Sequence, residues 1–276
     1  MKNARRCLFG IVFRKGVYEC PRKVVLRRQG KMKRFNVIFI GMLAIASLAQ
    51  AGLVGLWEFN NPQNLTSATI GANLGLTGSH TAVAGIGAVD GAAQIGKGSY
   101  YTVTSGIGAN GGGTYTNEWT LVYDIKSPLT ASYSSLLQTN TANSNDGDLF
   151  TKSNGQIGVS ATGNAPAGTV SADTWYRLVV RVDNGNLYEL WKDGMCVLNG
   201  NPQSIDGRFS LENVFLLFAD EDGEEELVDV SMVALYDETL SGEAIQVLGG
   251  AGNPIPEPAT MVLMGLGGIV FVRRRK

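Results

Sequence analysis

The residues whose types and spacing most suggest chemistry lie in one acidic run, residues 220–226, which read DEDGEEE. Carboxylates at this density on a turn repel one another, and a bound Ca²⁺ ion, with its all-oxygen ligand shell, relieves that repulsion. Alternate side chains of a tight turn converge, so the predicted ligands are Asp220, Asp222 and Glu224. A second oxygen-rich turn, NSNDGD, occupies residues 143–148. The alternative interpretation is that both are solvated turns that keep an acidic domain soluble.

The sequence lacks the motifs of nucleophilic catalysis and of zinc binding, and its one dinucleotide-binding pattern is not followed by the helix that such binding needs. His80 is the one histidine, and its GSHT neighbourhood predicts an exposed loop. A Ser-His pair would have to use it, yet the sequence has no G-x-S-x-G elbow. Zinc sites need clusters of His and Cys, which are absent. Residues 106–111 match G-x-G-x-x-G literally, but more glycines and a strand follow where dinucleotide binding needs a helix, so a loop is predicted.

Two tryptophans are candidates for stacking on a sugar ring. Trp191 alternates with Glu189, and Trp175 alternates with Arg177, so both are predicted to face solvent or a groove. Trp119 lies on an apolar strand face and is predicted to belong to the core. The alternative for Trp191 and Trp175 is that they pack against other side chains and bind no sugar.

The elements that position these residues are short strands with period-two alternation between residues 52 and 253. A continuous example is WTLVYDIK at 119–126, and the dipeptides Asn184-Gly185 and Asp193-Gly194 suit two-residue hairpin turns. Only SGEAIQVL, from Ser241, has the cap and spacing of a helix. We therefore predict an all-β domain at 52–253, an antiparallel β-sandwich with one short C-terminal helix. Further strands are predicted at Leu53–Phe59, Tyr100–Thr104, Ser135–Thr139, Tyr176–Asp183, Gly155–Ser160, Val214–Ala219 and Val228–Tyr236.

Three segments carry a family resemblance: GLVGLWEFN at 52–60, WYRLVVRVDNGNLYELWKDG at 175–194, and VDVSMVALYDETLSGEAIQVLGG at 228–250. Their order resembles that of LamG-like, concanavalin A-like jelly-roll domains. In that family a Trp-x-Phe strand opens the sheet, and the last strand precedes a short Leu-Ser-x-x-x-Ile helix. The resemblance implies a jelly roll, and several such domains bind Ca²⁺ at the rim of the sandwich.

The same fold analogy gives an enzyme alternative. Jelly-roll glycoside hydrolases related to laminarinases carry Glu-x-Asp-x-x-Glu on one strand, which supplies the two carboxylates of a retaining mechanism. This chain has Asp220-x-Asp222-x-x-Glu225. Here an Asp replaces the nucleophilic Glu, Gly223 lies within the motif, and the whole segment is predicted to form a turn and not a strand. These departures favour a non-catalytic protein, since a fold does not by itself imply a function.

The N-terminal segment is predicted to direct export. Residues 32–51 read MKRFNVIFIGMLAIASLAQA, a basic start, an apolar stretch too short to span a bilayer, and a small-x-small cleavage site at Ala49 and Ala51. Residues 1–31 are interpreted either as an upstream stretch before a true start at Met32 or as a longer basic leader. Cys196 is then the one cysteine of the exported body, which excludes an internal disulfide, and it is predicted to be a small core residue.

The C-terminal residues 254–276 are predicted to be a sorting tail. Pro256, Glu257 and Pro258 precede an apolar run of 14 residues, 259–272. As a helix this run is about 21 Å long, short of a bilayer core, and a stop-transfer basic cluster follows it: Arg273, Arg274, Arg275 and Lys276. This order resembles the PEP-CTERM signal of bacteria with an outer membrane. The resemblance implies an exosortase-type enzyme and the secretion machinery as partners, an intermediate anchored in the inner membrane by a short transmembrane helix, and then the cell surface or extracellular matrix.

Charge restricts the partners further. Residues 1–34 hold 12 of the Lys and Arg residues against one acid, whereas residues 35–255 hold 7 basic and 22 acidic residues. An acidic body makes nucleic acid an unsuitable partner, because phosphate contacts need Lys and Arg. The sequence thus predicts an exported, surface-sorted, non-catalytic protein that binds or structurally associates with extracellular polysaccharide. The alternatives to this function are a glycoside hydrolase and a protein–protein interaction module. Ca²⁺ is the one cofactor that the sequence suggests.

Overall fold

A computed structural model describes residues 52–142, 148–220 and 223–256. Within them the chain forms short strands and one helix, α1, at Gly242–Leu248. The strands are β1 Leu53–Trp57, β2 Gly75–Thr77, β3 His80–Ala84, β4 Gly91–Ile95, β5 Tyr100–Thr104, β6 Glu118–Lys126, β7 Ser134–Leu137, β8 Leu149–Thr151, β9 Ile157–Val159, β10 Gly163–Asn164, β11 Tyr176–Asp183, β12 Leu187–Lys192, β13 Met195–Asn199, β14 Val214–Leu217 and β15 Val228–Tyr236. The all-β prediction is confirmed.

The strands form two antiparallel layers. The large sheet has the order β13-β12-β11-β6-β15-β4-β3, and β1 pairs with β15. The second layer consists of a four-stranded sheet, β10-β9-β8-β7, and a three-stranded sheet, β14-β5-β2. An antiparallel bridge between Gln138 and Leu216 joins these two sheets. The result is the predicted antiparallel β-sandwich.

The main core lies between the two layers and follows the period-two pattern of the central strands. Trp119 and Ile125 of β6 point inward and are fully buried, and β11 pairs with β6 so that Val182 lies opposite Trp119 and Tyr176 opposite Ile125. Side chains of the second layer, such as Phe215, complete this core. Burial of a large apolar side chain of this kind contributes about 1.5–3 kcal/mol, and the domain depends on it because no disulfide can form within a body that has one cysteine.

Helix α1 covers part of the outer face of the large sheet and creates a second core. The Ser241 hydroxyl caps the helix by accepting a hydrogen bond from the Ala244 N–H at 3.1 Å, as the sequence predicts. The chain leaves the helix at Gly249, whose φ of 63° favours glycine. Ile245 and Leu248 pack onto Trp191 and the outward side chains of the central strands.

Two single-residue predictions are wrong. Cys196 is exposed on β13, the edge strand of the large sheet, and does not belong to the core. His80 is not in an exposed loop; it begins β3, is half-buried, and its Nδ1 lies 2.8 Å from the Tyr101 hydroxyl. Burial lowers the pKa of His80.

The predicted signal peptide at 32–51, the leader at 1–31 and the apolar run of the tail lie outside the described residues. In the part of the chain that is described, no helix has the length and apolar character needed to cross a bilayer.

A candidate binding groove at the rim of the sandwich

Three loops meet at one end of the sandwich and form the candidate site. They are residues 105–117 before β6, the described part of 138–148 between β7 and β8, and 200–213 before β14. An antiparallel bridge joins Thr116 to Leu211, and the Glu212 N–H donates to the Thr139 carbonyl at 3.0 Å. The loops therefore support one another, although they are far apart in sequence.

Asp206 organises the loop that precedes β6. Its carboxylate accepts hydrogen bonds from the Asn117 side chain at 2.9 Å, from the Thr114 N–H and hydroxyl at 2.8 Å, and from the Tyr115 N–H at 3.1 Å. These donors, Asn117 first and then Thr114, hold the pKa of Asp206 well below its ordinary value. Asp206 itself has a φ of 54°, a conformation that Asp tolerates better than most residues. The backbone of Tyr115 is thereby fixed.

A buried amide network extends this support. Asn117 is completely buried, and its side-chain oxygen accepts hydrogen bonds from the Asp206 N–H at 2.8 Å and the Asn184 side chain at 3.1 Å. The Asn110 side-chain oxygen accepts from the N–H groups of Asn117 and Glu118 at 2.6 and 2.8 Å. Networks in which every member is satisfied are rigid, so this end of the sandwich is preorganised for binding.

A first cavity of about 210 Å³ opens among these loops. Asp148 lies at its base and is almost fully buried. One Asp148 oxygen lies 3.1 Å from Arg208 Nε, and the other accepts from the Thr139 N–H and hydroxyl at 2.8 and 2.7 Å. Asn140 and Glu212 also line the cavity. The base is thus an ion pair surrounded by polar groups.

Burial raises the pKa of Asp148 to about 6, even though Thr139 and Arg208 act in the opposite direction. A raised folded-state pKa stabilises the fold below the ordinary pKa of the carboxyl group, and this stability is lost as the pH rises through about 6. The variant Asp148→Asn lacks this titration. We therefore expect the stability advantage of the wild type over Asp148→Asn, measured as the difference in unfolding free energy, to fall by about 3 kcal/mol between pH 3.5 and pH 7. Urea denaturation at several pH values measures this difference. A difference that is constant with pH would contradict the prediction.

A second cavity of about 270 Å³ adjoins the first, and Tyr115 and Glu212 line both. Tyr115 is 44% exposed. Tyr115 therefore lies where the two cavities meet, with the Asp148 base in the first cavity and a more apolar lining in the second, to which Ile107 and Leu211 contribute. We call the two cavities together the rim groove. A rigid aromatic side chain beside a few fixed polar groups is typical of small-ligand sites.

The predicted stacking residues lie elsewhere. Trp191 is 8% exposed, packs under α1 in the second core, and donates from Nε1 to Glu189 at 2.8 Å. The prediction that it faces solvent is wrong, because the helix covers that face of the sheet. Trp175 is half-buried and precedes β11 at the end of the sandwich opposite to the groove, where Lys126 Nζ lies 5.1 Å from its ring centre. Trp175 keeps a partly open ring, outside the rim groove.

The acidic turn also lies at the opposite end, and the carboxylates of Asp220, Glu225 and Glu226 are bonded to the protein's own backbone. Asp220 accepts from the Glu224 N–H at 2.9 Å, and Glu226 accepts from the Thr130 N–H at 2.8 Å. Asp222, the third predicted calcium ligand, lies outside the described residues. Among the residues that are described, no group of three or more acidic, His or Cys side chains is arranged to hold a metal ion. The calcium prediction at this turn therefore stays a prediction, since Asp222 is not described.

The residues of the hydrolase alternative have structural partners as well. Glu225 accepts hydrogen bonds from the Gly98 N–H at 2.6 Å and from the Asp220 N–H at 3.2 Å. It connects the acidic turn to the loop between β4 and β5, and it does not stand in mid-strand. Residues 106–111 form a loop that continues to β6, as predicted, and this loop contributes Ile107 and Ala109 to the rim groove.

The residues of the rim groove are not among those that the sequence predicts to form a site. Tyr115, Asp148 and Arg208 lie on three different loops, and no local motif marks their meeting. One signal was present: Asn and Asp beside Gly, as in Asp206-Gly207, favour positive φ and tight side-chain-to-backbone bonding.

Comparison with known proteins gives one motif and a set of similar folds. A model of the PEP-CTERM protein-sorting motif matches residues 254–276. The motif implies recognition by an exosortase-type processing enzyme, and an exported protein that is anchored in a membrane before its C-terminus is processed. The comparison with curated proteins finds no match.

Among solved structures, domain 4 of an extracellular arabinanase from Geobacillus stearothermophilus, in complex with arabinotriose, is similar, with a TM-score of 0.53 at 18% identity over 72% of this chain and 99% of that domain. The binding domain of botulinum neurotoxin serotype D has a TM-score of 0.53 at 15% identity, over 74% of this chain and 52% of that one. The chain thus spans about half the length of this neurotoxin domain. At these identities the likeness shows a shared β-sandwich fold.

Proposed function

We propose that the protein is displayed at the bacterial surface and binds a glycan of the extracellular matrix in the rim groove, without cleaving it. The single observation that carries this proposal is that Tyr115, which is 44% exposed, lines both cavities while the Asp206 network fixes its backbone. Sugar rings combine apolar faces with hydroxyl groups, so they suit an aromatic wall beside polar side chains.

The charges of the groove favour a neutral glycan. Among the described residues that line the groove, Arg208 is the one basic side chain, and Asp148 already neutralises it at 3.1 Å. Asp206 and Glu212 add negative charge to the lining. An anionic polymer such as a uronan would meet like charge there, because like-charge juxtaposition opposes binding.

The fold and the sorting motif support the same assignment. A domain of similar fold was crystallised with arabinotriose, and β-sandwiches of the LamG-like jelly-roll class, which this sequence resembles, are the finer fold assignment that we propose. For export we propose that residues 32–51 are a signal peptide removed after Ala51, and that the tail delivers the body to the cell surface or matrix of a bacterium with an outer membrane.

Replacement of Tyr115 tests the groove. A glycan array probed with residues 52–256 identifies the ligand, and titration calorimetry then measures its affinity. We expect Tyr115→Ala to weaken binding by about tenfold or more, because a central aromatic contact is worth over 1 kcal/mol. The thermal midpoint is expected to stay near that of the wild type, since Tyr115 is 44% exposed and its backbone hydrogen bonds to Asp206 do not depend on the side chain.

Tyr133→Ala is the matched control. Tyr133 is 41% exposed and lies at the opposite end of the sandwich, before β7, with Lys152 Nζ 4.9 Å from its ring centre. We expect this variant to bind as the wild type does. Equal affinities of the wild type and Tyr115→Ala would contradict the proposed site. Release of reducing sugar from β-glucans, abolished by Glu225→Gln, would instead favour the hydrolase alternative.

A further inference from the structure

The C-terminal end of the body is attached to the outer face of the large sheet by a buried ion pair. Arg177 of β11 is 0% exposed and Asp124 of β6 is 2% exposed. The guanidinium group donates to both Asp124 oxygens, from Nε at 2.7 Å and from one terminal nitrogen at 2.8 Å. This bidentate pair is directional and strong, because it is charge-assisted and excluded from water.

The pair makes further hydrogen bonds to the last residue of α1 and to the chain that follows the helix. Arg177 donates to the carbonyl oxygens of Leu248 and Asn253, both at 2.6 Å. Asp124 accepts from the Gly252 N–H at 3.0 Å. Ile255 then packs against the second core. We call residues 249–256 the strap.

The strap is attached by these few contacts and does not fill the space beneath it. A cavity of about 370 Å³, lined in part by Glu58, Asp90 and Ser231, remains between the strap and the sheet. Local segments held by few contacts open without global unfolding. The strap can therefore leave the sheet while the sandwich stays folded.

The sorting motif begins where the strap ends. The matched segment starts at residue 254, and Pro256, the first residue of the Pro-Glu-Pro signature, is itself half-buried. The tail thus reaches the body with no spacer between the docked chain and the processing motif. An enzyme that processes a peptide has to surround it with its own groups. Although Gly252, Asn253 and Pro254 are exposed, the backbone of this segment is hydrogen-bonded to the body, so it cannot be surrounded on all sides while it is docked.

We propose that the strap has to detach from the Arg177 and Asp124 pair before the sorting enzyme can process the tail. The rate of processing is then set by the fraction of molecules whose strap is detached, as proteolysis follows the open fraction when opening is fast. This inference rests on the C-terminal processing that the sorting motif implies, and it is independent of glycan binding by the rim groove.

A disulfide that locks the strap tests the proposal. A Cβ atom built on Gly252 lies 3.6 Å from Ile86 Cβ, within the range of disulfides. The variant Ile86→Cys/Gly252→Cys is expressed as the full chain in its host, in a Cys196→Ser background, and processing is followed by pulse-chase and immunoblotting. We expect about tenfold slower conversion of the long form to the short form.

The matched control is a second disulfide that leaves the strap free. A Cβ atom on Gly75 lies 3.3 Å from Thr102 Cβ, on the paired strands β2 and β5. Gly75→Cys/Thr102→Cys is expected to be processed at the wild-type rate. Gly252→Cys alone controls for the backbone strain at this residue, where φ is 81°. Equal processing of the locked variant and the control disulfide would overturn the proposal.

A loosened strap tests the same claim in the opposite direction without a crosslink. Arg177→Met combined with Asp124→Leu removes the donors and acceptors that hold the strap and keeps apolar volume in their place. We expect processing about threefold or more faster than in the wild type. An unchanged or slower rate would overturn the proposal. A wild type that is never processed would overturn both this inference and the sorting part of the proposed function, whereas failure of the locked variant alone concerns only the strap.

Discussion

Replacement of Arg177 by Met alone is expected to lower the unfolding free energy by about 3–5 kcal/mol, one of the two largest effects in the molecule. The substitution leaves the Asp124 carboxylate buried without its bidentate partner, and the carbonyl groups of Leu248 and Asn253 lose their donor. A buried charge without compensation is costly, because the protein interior solvates it poorly. Urea denaturation of the wild type and the variant measures the loss.

The double variant Arg177→Met/Asp124→Leu separates the charge from the packing. Because it removes both charges together, it is expected to recover at least half of the stability that the single variant loses. A single variant within about 1 kcal/mol of the wild type would contradict the account of this ion pair.

Replacement of Trp119 by Ala is expected to have the second large effect and to lower the unfolding free energy by about 3–5 kcal/mol. Trp119 is fully buried at the start of β6, and its Nε1 donates to the Phe209 carbonyl at 2.8 Å. The substitution therefore opens a large cavity in the core and also releases the loop that carries Arg208. We expect the stability loss by urea denaturation to be accompanied by weaker glycan binding.

Trp119→Phe is the control for the packing part. It keeps most of the apolar volume but leaves the buried Phe209 carbonyl without this donor, so a smaller loss of about 1–3 kcal/mol is expected. If Trp119→Phe were as destabilising as Trp119→Ala, the hydrogen bond and not the cavity would dominate.

Much of the fold could be predicted from the sequence because its signals are local. Alternation along 119–126 places Trp119 and Ile125 in the core, as the structure has them. The Ser241 cap was also readable, since it depends on a few neighbouring residues. The hairpin turn at Asn184-Gly185 lies where the sequence predicts it, but its loop has three residues, 184–186, and not two. The prediction that Trp191 faces solvent is wrong because α1, more than fifty residues later in the chain, covers the outer face of the sheet on which it lies. Alternation along one strand carries no information about such a helix.

The candidate site could not be predicted in the same way. The rim groove exists only when Tyr115, Asp148 and Arg208 are brought together by three loops, and each of these loops reads as an ordinary polar connection. The acidic turn was the more visible feature in the sequence, but in the structure Glu225 and Glu226 bind backbone N–H groups. Two carboxylates of the turn thus hold the protein's own loops, and calcium binding by Asp220, Asp222 and Glu224 stays a prediction.

The attachment of the strap could not be predicted from the sequence either. Arg177 and Asp124 look like the polar side of two strands in the sequence, yet they are the most deeply buried charged residues among those that the structure describes. Their partners at 248–253 lie about seventy residues or more away along the chain. A buried ion pair of this kind is explained only by the segment that it holds.

The most direct test of the central claim is the NMR spectrum of residues 52–256 titrated with oligosaccharides prepared from the extracellular polysaccharide of the host. The account predicts chemical-shift changes concentrated at the rim groove, around Tyr115, Asn140 and Arg208, with the oligosaccharides recovered at their original length. Shifts centred instead on the opposite end, near Trp175, or shortening of the oligosaccharides, would contradict it.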